Sequence, residues 1–411
     1  MKKFTRKKPG SNKQSVKKSL LKISLITFLG AIVVAGLILA YFKQKPLTSP
    51  ISQLSQFKFI NTYVPPKNKE PKIIYGFLPY WNLNRVQLNP KLTHVAYFRL
   101  AINDDGEVMV NNEGEAEMGY KRLQSERFLD IINQLEKNQT QLDIVFTIFN
   151  ADTASQFLNS NEAKANFFKN LDSVLLAYPI KGVNLDVEVN ASAGAKLKPQ
   201  FTQFVTETKA HLDQKPEKIQ LSIDVYPSAA SGKHIWDLPA LGKVSDFIIL
   251  MAYDFHRRGS TQAGPVAPLF GGGDIFASDI HGYLKDTVKQ VPAKKILLGI
   301  PFYGYQWQTV DHSSQSKTYP NTGKTLFYSQ VIELLNQPDV KRNWNSKALS
   351  PYLTFTKDDK NYLVYYDDKN SLHYKLELVN KLDLGGIAIW ALGYEGGTQE
   401  LWQEIIKNLS N

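Results

Sequence analysis

Residues 180–190 read IKGVNLDVEVN, from Ile180 to Asn190. Val183, Leu185 and Val187 alternate with Asn184, Asp186 and Glu188. A strand sends alternate side chains to opposite faces, so the three polar residues share one face. Asp186 and Glu188 then lie roughly 6–7 Å apart along the strand. Two carboxylates that close resist ionising together, so one holds its proton near neutral pH. A protonated carboxyl beside an ionised one suits general acid catalysis. The competing reading is a structural pair with Lys or Arg partners elsewhere in the chain.

Outward from this stretch, apolar runs alternate with helical patterns. Strands are expected at Lys72–Leu78, His94–Leu100, Leu142–Phe149, Val183–Glu188, Ile219–Val225, Asp246–Tyr253, Lys295–Tyr303 and Gly386–Leu392. Helical spacing falls at Ser125–Lys137, Asn159–Ala177, Leu197–Leu212, Ala277–Gln290 and Gln399–Leu409. Strands this apolar are buried on both faces, as in parallel sheets covered by helices. Eight such units predict an α/β fold, a (β/α)8 TIM barrel occupying residues 71–411. A doubly wound open sheet is the alternative, weakened because no G-x-G-x-x-G follows the first strand. Between the seventh and eighth strands, Tyr352–Thr356 and Tyr362–Tyr366 alternate like antiparallel strands after a helical stretch at Tyr328–Leu335. This predicts a small α+β insertion over about residues 306–370. A helix at Ser371–Leu382, with Ser371 as a possible cap, would return the chain to the barrel.

In such a barrel the working residues stand at the C-terminal ends of the strands. Asn184, Asp186, Glu188, Tyr253, Asp254, Tyr303 and Trp390 all fall there. Aromatic floors with a few carboxylates suit sugar rings, which stack on one face and hydrogen-bond at their edges. The bland readings are a loop-capping Asp254, a core Trp390 and a hydrogen-bonded core His94. The histidines show no H-x-x-x-H or H-E-x-x-H, and the chain has no cysteine, so neither a metal nor another cofactor is expected. Gly271–Gly273 lacks the Lys-Ser or Lys-Thr of a phosphate loop.

The formal charge of +11 is misleading. Residues 1–69 hold 14 of the 49 Lys and Arg and none of the 38 Asp and Glu, leaving the remainder slightly acidic. No nucleic-acid partner is expected, because that needs a basic folded surface. Residues 1–22 form a basic tail, and residues 23–42 run uncharged for about 30 Å of helix, the thickness of a bilayer core. This predicts a transmembrane signal anchor with a cytoplasmic N-terminus and an extracytoplasmic C-terminal domain, joined by a linker over residues 43–70. A cleaved signal peptide is the alternative, opposed by the length of the apolar run and the poor cleavage site in LILAYFKQK.

These segments together resemble glycoside hydrolase family 18, the chitinase-like barrels, in the form seen in bacterial spore-cortex and cell-wall glucosaminidases. The family's D-G-x-D-x-D-x-E is matched by Lys181 to Glu188, with Lys181 and Asn184 in place of the first two Asp. YGFLPYW resembles the opening strand, LMAYD (Leu250–Asp254) the M-x-Y-D run, GIPFYG (Gly299–Gly304) the G-x-P-x-Y-G run, and GGIAIWALGYE (Gly385–Glu395) the closing strand. The resemblance implies that Glu188 is the general acid/base. Asp186 would orient the substrate's 2-acetamido group, and Tyr253 would hydrogen-bond its carbonyl. Asn184, Met251, Asp254, Tyr303 and Trp390 would bind substrate. The implied reaction is substrate-assisted, retaining hydrolysis of β-1,4 bonds next to N-acetylglucosamine in peptidoglycan or a chitin-type polymer. A non-catalytic lectin that keeps the groove is the alternative. Asn184 removes a charge beside Asp186 and alters how the proton is shared.

Overall fold

The computed structural model describes residues 71–410, so the expected anchor at 23–42 and its linker lie outside the described residues. Among the described residues no helix is long and apolar enough to cross a membrane.

Eight parallel strands close into a barrel. In chain order they are β1 (Ile73–Pro79), β2 (His94–Ala101), β3 (Gln141–Ile148), β4 (Ile180–Val187), β5 (Gln220–Val225), β6 (Phe247–Leu250) and β7 (Ile296–Pro301), and the barrel closes with β13 (Gly386–Trp390) between β7 and β1. The chain returns between strands through helices that include Glu126–Asn138, Asn161–Ala177 and Ala191–Leu212. Side chains meant for those helices are fully apolar: Val183, Leu185 and Val187 on β4 are each 0% exposed. The inward row is filled by Tyr75, Phe77, Ala96, Phe98, Val145, Ile249, Leu297 and Ala388, with Trp390 packed above them. The barrel is therefore a packed core whose only working surface is its mouth.

Polar side chains enter that core by pairing. His94, buried on β2, bonds Thr93 Oγ1 at 2.8 Å and Gln220 at 2.9 Å, which realises its reading as a core residue. Asp143 on β3 stands level with Gly182 on β4, where an added Cβ would fall 2.3 Å from its carboxylate. The glycine in the signature stretch is thus required by close packing. Lys181 points the other way and pairs with Glu217 on the outside of the barrel.

The insertion holds five strands where the alternation predicts two. β8 (Tyr303–Thr309), β9 (Lys324–Phe327), β10 (Lys341–Asn345), β11 (Ser350–Lys357) and β12 (Lys360–Tyr365) form one antiparallel sheet in the order β10-β11-β12-β8-β9, with the helix Tyr328–Leu335. The helix that returns to the barrel is Lys369–Lys381, and its N-cap is Asp368, not Ser371. The Asp368 carboxylate accepts from the backbone N–H of Asn370 and Ser371, while Ser371 Oγ accepts from that of Asp368 at 2.9 Å. Ser371 closes a capping box from inside the first turn, and the acidic residue three positions earlier takes the cap.

Candidate active site at the barrel mouth

Asp186 and Glu188 emerge at the C-terminal end of β4, where the Glu188 N–H continues the ladder to Ile148 O at 2.9 Å. Asp186 is 3% exposed and Glu188 half-buried. They line an open groove of about 1120 Å³ across the mouth, together with Met251, Tyr253, Asp254, Tyr303 and Trp390. Seven of the eight residues expected at the site therefore meet in one cavity. Asn184 does not. It lies one inward position below Asp186, 0% exposed, with its amide donating to Ser222 Oγ at 2.9 Å and Asp224 Oδ1 at 2.8 Å. Asn184 braces the floor from below and does not line the groove.

No Lys or Arg pairs with Asp186 or Glu188 among the described residues, so the structural ion pair is not what holds them. Burial raises the Asp186 carboxyl well above the ordinary range, and the neighbouring Glu188 and Asp224 charges push it further; Arg99 opposes them. Burial also raises Glu188, with Asp254 adding to the rise and a hydrogen bond from Tyr226 opposing it. Asp186 Oδ1 is buried and has no hydrogen-bond partner. The cluster thus holds protons at pH values where an exposed carboxyl has lost them.

The chain leaves β6 through two tight turns, with Ala252 N–H to Leu250 O at 2.7 Å and Tyr253 N–H to Met251 O at 2.8 Å. These fold Met251–Asp254 over the mouth, so the strand ends at Leu250 and not at Tyr253 as the apolar run predicts. Asp254 adopts φ +61°, which an Asp tolerates better than most residues. Its carboxylate accepts from the hydroxyls of Tyr303 and of Tyr305, the latter at 2.9 Å. Asp254 is neither a loop cap nor free: two tyrosines from the insertion side fix it in the groove. Trp390 satisfies both of its readings. Its ring packs edge-on against Phe98 at 4.7 Å and tilted against Phe77 at 5.7 Å, closing the core, while its other side floors the groove.

Several groove residues escaped the sequence. Asp224 and Tyr226 continue the inward row of β5, where Ser222, Asp224 and Tyr226 alternate with Leu221, Ile223 and Val225. That is the same pattern as on β4 and could have found them. Arg99 could not be found this way. Strict alternation turns it outward, but the β2–β3 register shifts between Phe98 and Leu100 and brings it to the mouth. It bonds Thr147 Oγ1 at 2.7 Å and lies 5.0 Å over the ring of Phe149. Trp81 and Phe149 are 44% and 46% exposed on the groove wall, an exposure that suits stacking against a sugar ring.

A parallel (β/α)8 barrel with proton-holding carboxyls and aromatic walls at its mouth defines a glycoside hydrolase. The family model for glycosyl hydrolases family 18 matches residues 67–395, and the chain belongs to that family. The uncharacterized glycosylase YvbX of Bacillus subtilis (strain 168) is 27% identical over 266 residues, covering 63% of this chain and 70% of that protein. A cortical fragment-lytic enzyme of Bacillus anthracis is 22% identical over 332 residues, covering 79% of this chain and 69% of that one. Among solved structures, the Group IV chitinase of Ostrinia furnacalis superposes with a TM-score of 0.73 at 20% identity, over 83% of this chain and all of that one.

Proposed function

We propose that the protein is a membrane-anchored, exported glycosidase that cleaves β-1,4 bonds next to N-acetylglucosamine in a peptidoglycan or chitin-type polymer, by substrate-assisted retention. The observation that carries this reading is that Asp186 and Glu188, neither paired with a Lys or Arg among the described residues, meet Tyr253 and Trp390 in one groove at the barrel mouth. Asp186 lines that groove beside Glu188, and its carboxyl accepts from the N–H of the substrate's acetamido group. Held there, the acetamido oxygen attacks C1 from within the substrate as Glu188 protonates the departing oxygen. An internal nucleophile has a high effective molarity, so no enzyme nucleophile is required. Water then adds at C1 and returns a proton to Glu188. Tyr253, in the same groove, donates to the acetamido oxygen, and Trp390 supports the ring.

The substrate class is supported by the relatives, whose names include a cortical fragment-lytic enzyme and a chitinase. The anchor rests on the uncharged run 23–42 behind a basic tail. A thiazoline mimic of the cyclised intermediate is the test of the mechanism. It should inhibit at least about a hundredfold more tightly than the matching N-acetylglucosamine oligomer. Equal inhibition by the two would remove substrate assistance.

A further inference from the structure

Asp224 has no role in the reaction as described so far. It is 2% exposed, yet it forms part of the groove floor. β4 and β5 run parallel with Asn184 level with Ser222. One inward step further along each strand are Asp186 and Asp224, side by side on neighbouring strands whose axes are about 4.8 Å apart. Asn184 links the two levels. Its amide nitrogen donates to both Ser222 and Asp224, which uses both of its hydrogens. Its carbonyl oxygen is left buried without a partner, as is Asp186 Oδ1 on the next inward position of the same strand. One proton on Asp186 would convert an orphaned acceptor into a donor within that row. The carboxylate missing at position 184 is therefore present in the barrel, displaced one strand sideways and bonded to the amide that stands in its place.

We propose that Asp224 is a positioning residue of the hydrolysis, which orients Asn184 and supplies from β5 the interior negative charge that keeps a proton on the Asp186–Glu188 pair until the glycosidic bond breaks. It exchanges no atom with substrate. As the C1–O bond breaks, the Glu188 proton passes to the departing oxygen and the acetamido oxygen bonds C1. The positive charge that develops on the ring then faces Asp186 with Asp224 beneath it. Hydration of C1 returns a proton to Glu188, and Asp224 ends as it began.

The groups around it agree with this role. The Asp224 charge raises the carboxyl of Asp186 and the phenols of Tyr253 and Tyr75, which face it from β4, from the segment after β6 and from β1. Burial raises Asp224 itself well above the ordinary carboxylate range and the Glu188 charge adds to this, against the Asn184 hydrogen bond; the Asp224 charge raises Asp186 and not the reverse, which leaves the charge on Asp224 and the proton on Asp186. The opposing influences on the pair come from Arg99 at the end of β2, acting on Asp186, and from Tyr226 at the end of β5, acting on Glu188. Asp143, lower on β3, faces Tyr75.

The inference rests on the glycosidase reading, and its test separates the two. The pH dependence of kcat/KM is measured with a fluorogenic glycoside of N,N′-diacetylchitobiose for the wild type, Asp224→Asn and the exchange variant Asn184→Asp/Asp224→Asn. Removing the charge should lower the pH at which the acid is lost by about one unit and reduce kcat/KM at neutral pH about tenfold. The exchange variant keeps one carboxylate bonded to one amide with their strands swapped, so it should regain the alkaline limb and most of the rate. An unmoved alkaline limb in Asp224→Asn overturns the inference, and so does an exchange variant that folds with the wild-type Tm but is no faster than Asp224→Asn. If the exchange variant does not fold, the limb of Asp224→Asn decides alone. A wild type that never turns over the glycoside removes the glycosidase reading itself, and the inference with it.

Discussion

Asp186 shows how the site is kept ready at a cost to stability. Its folded pKa lies well above the unfolded value through burial and the Glu188 and Asp224 charges. Below the unfolded value of about 3.9 the group is protonated in both states. As pH rises from there toward the folded value, the folded state binds more proton than the unfolded one, so stability falls, by about 1.4 kcal/mol for each unit separating the two values. Asp186→Asn carries no such loss. The variant should melt a few degrees above the wild type at pH 7, with the difference shrinking toward zero near pH 4. Melting curves across that range check it; a difference independent of pH would show that the carboxyl is not held protonated. Asp172, held by Lys215 and His211, and Glu404, held by His373, are shifted downward, so they act in the opposite sense and are common to both proteins.

At the scale of elements, the segment Ile23–Phe42 carries its own prediction. Full-length protein should stay with membranes through a high-salt wash, and protein lacking residues 1–42 should be soluble when both are fractionated from cells. Release of the full-length chain by salt alone would mean that the basic tail, and not the apolar run, holds it. The barrel strands were readable because each is a short, nearly unbroken apolar run set between helical patterns, and β4 was readable to the level of its inward row. The failures have local physical causes. β6 stops early because successive tight turns end the ladder at Met251–Tyr253. β9 and β10 escaped because they are short or polar, as in Lys324–Phe327 and Lys341–Asn345, and owe their pairing to the sheet around them; β8 escaped because only Phe302 separates it from β7. The cap at Asp368 is not legible in the sequence because a capping box contains two side chains able to cap, and sequence alone does not say which stands outside the helix. Alternation puts Asn184 on the groove face but does not give its depth, and it lies below the groove lining.

At the scale of the molecule, the closed sheet gathers residues far apart in the chain. Arg99, Asp186, Asp224, Asp254 and Trp390 come from five different barrel strands or the segments that follow them, and the insertion brings Tyr303 and Tyr305 to hold Asp254. The packed interior leaves chemistry only at the mouth, and the charge that other parts of the molecule would spread over a surface is concentrated there in buried carboxyls. The proposed hydrolysis depends on Glu188 as the acid. Reducing-sugar release from peptidoglycan strands and N-acetylglucosamine oligomers, compared between the wild type and Glu188→Gln, measures this directly. The substitution should lower kcat by about 10²–10⁴-fold while the protein stays folded. Unchanged release would contradict it.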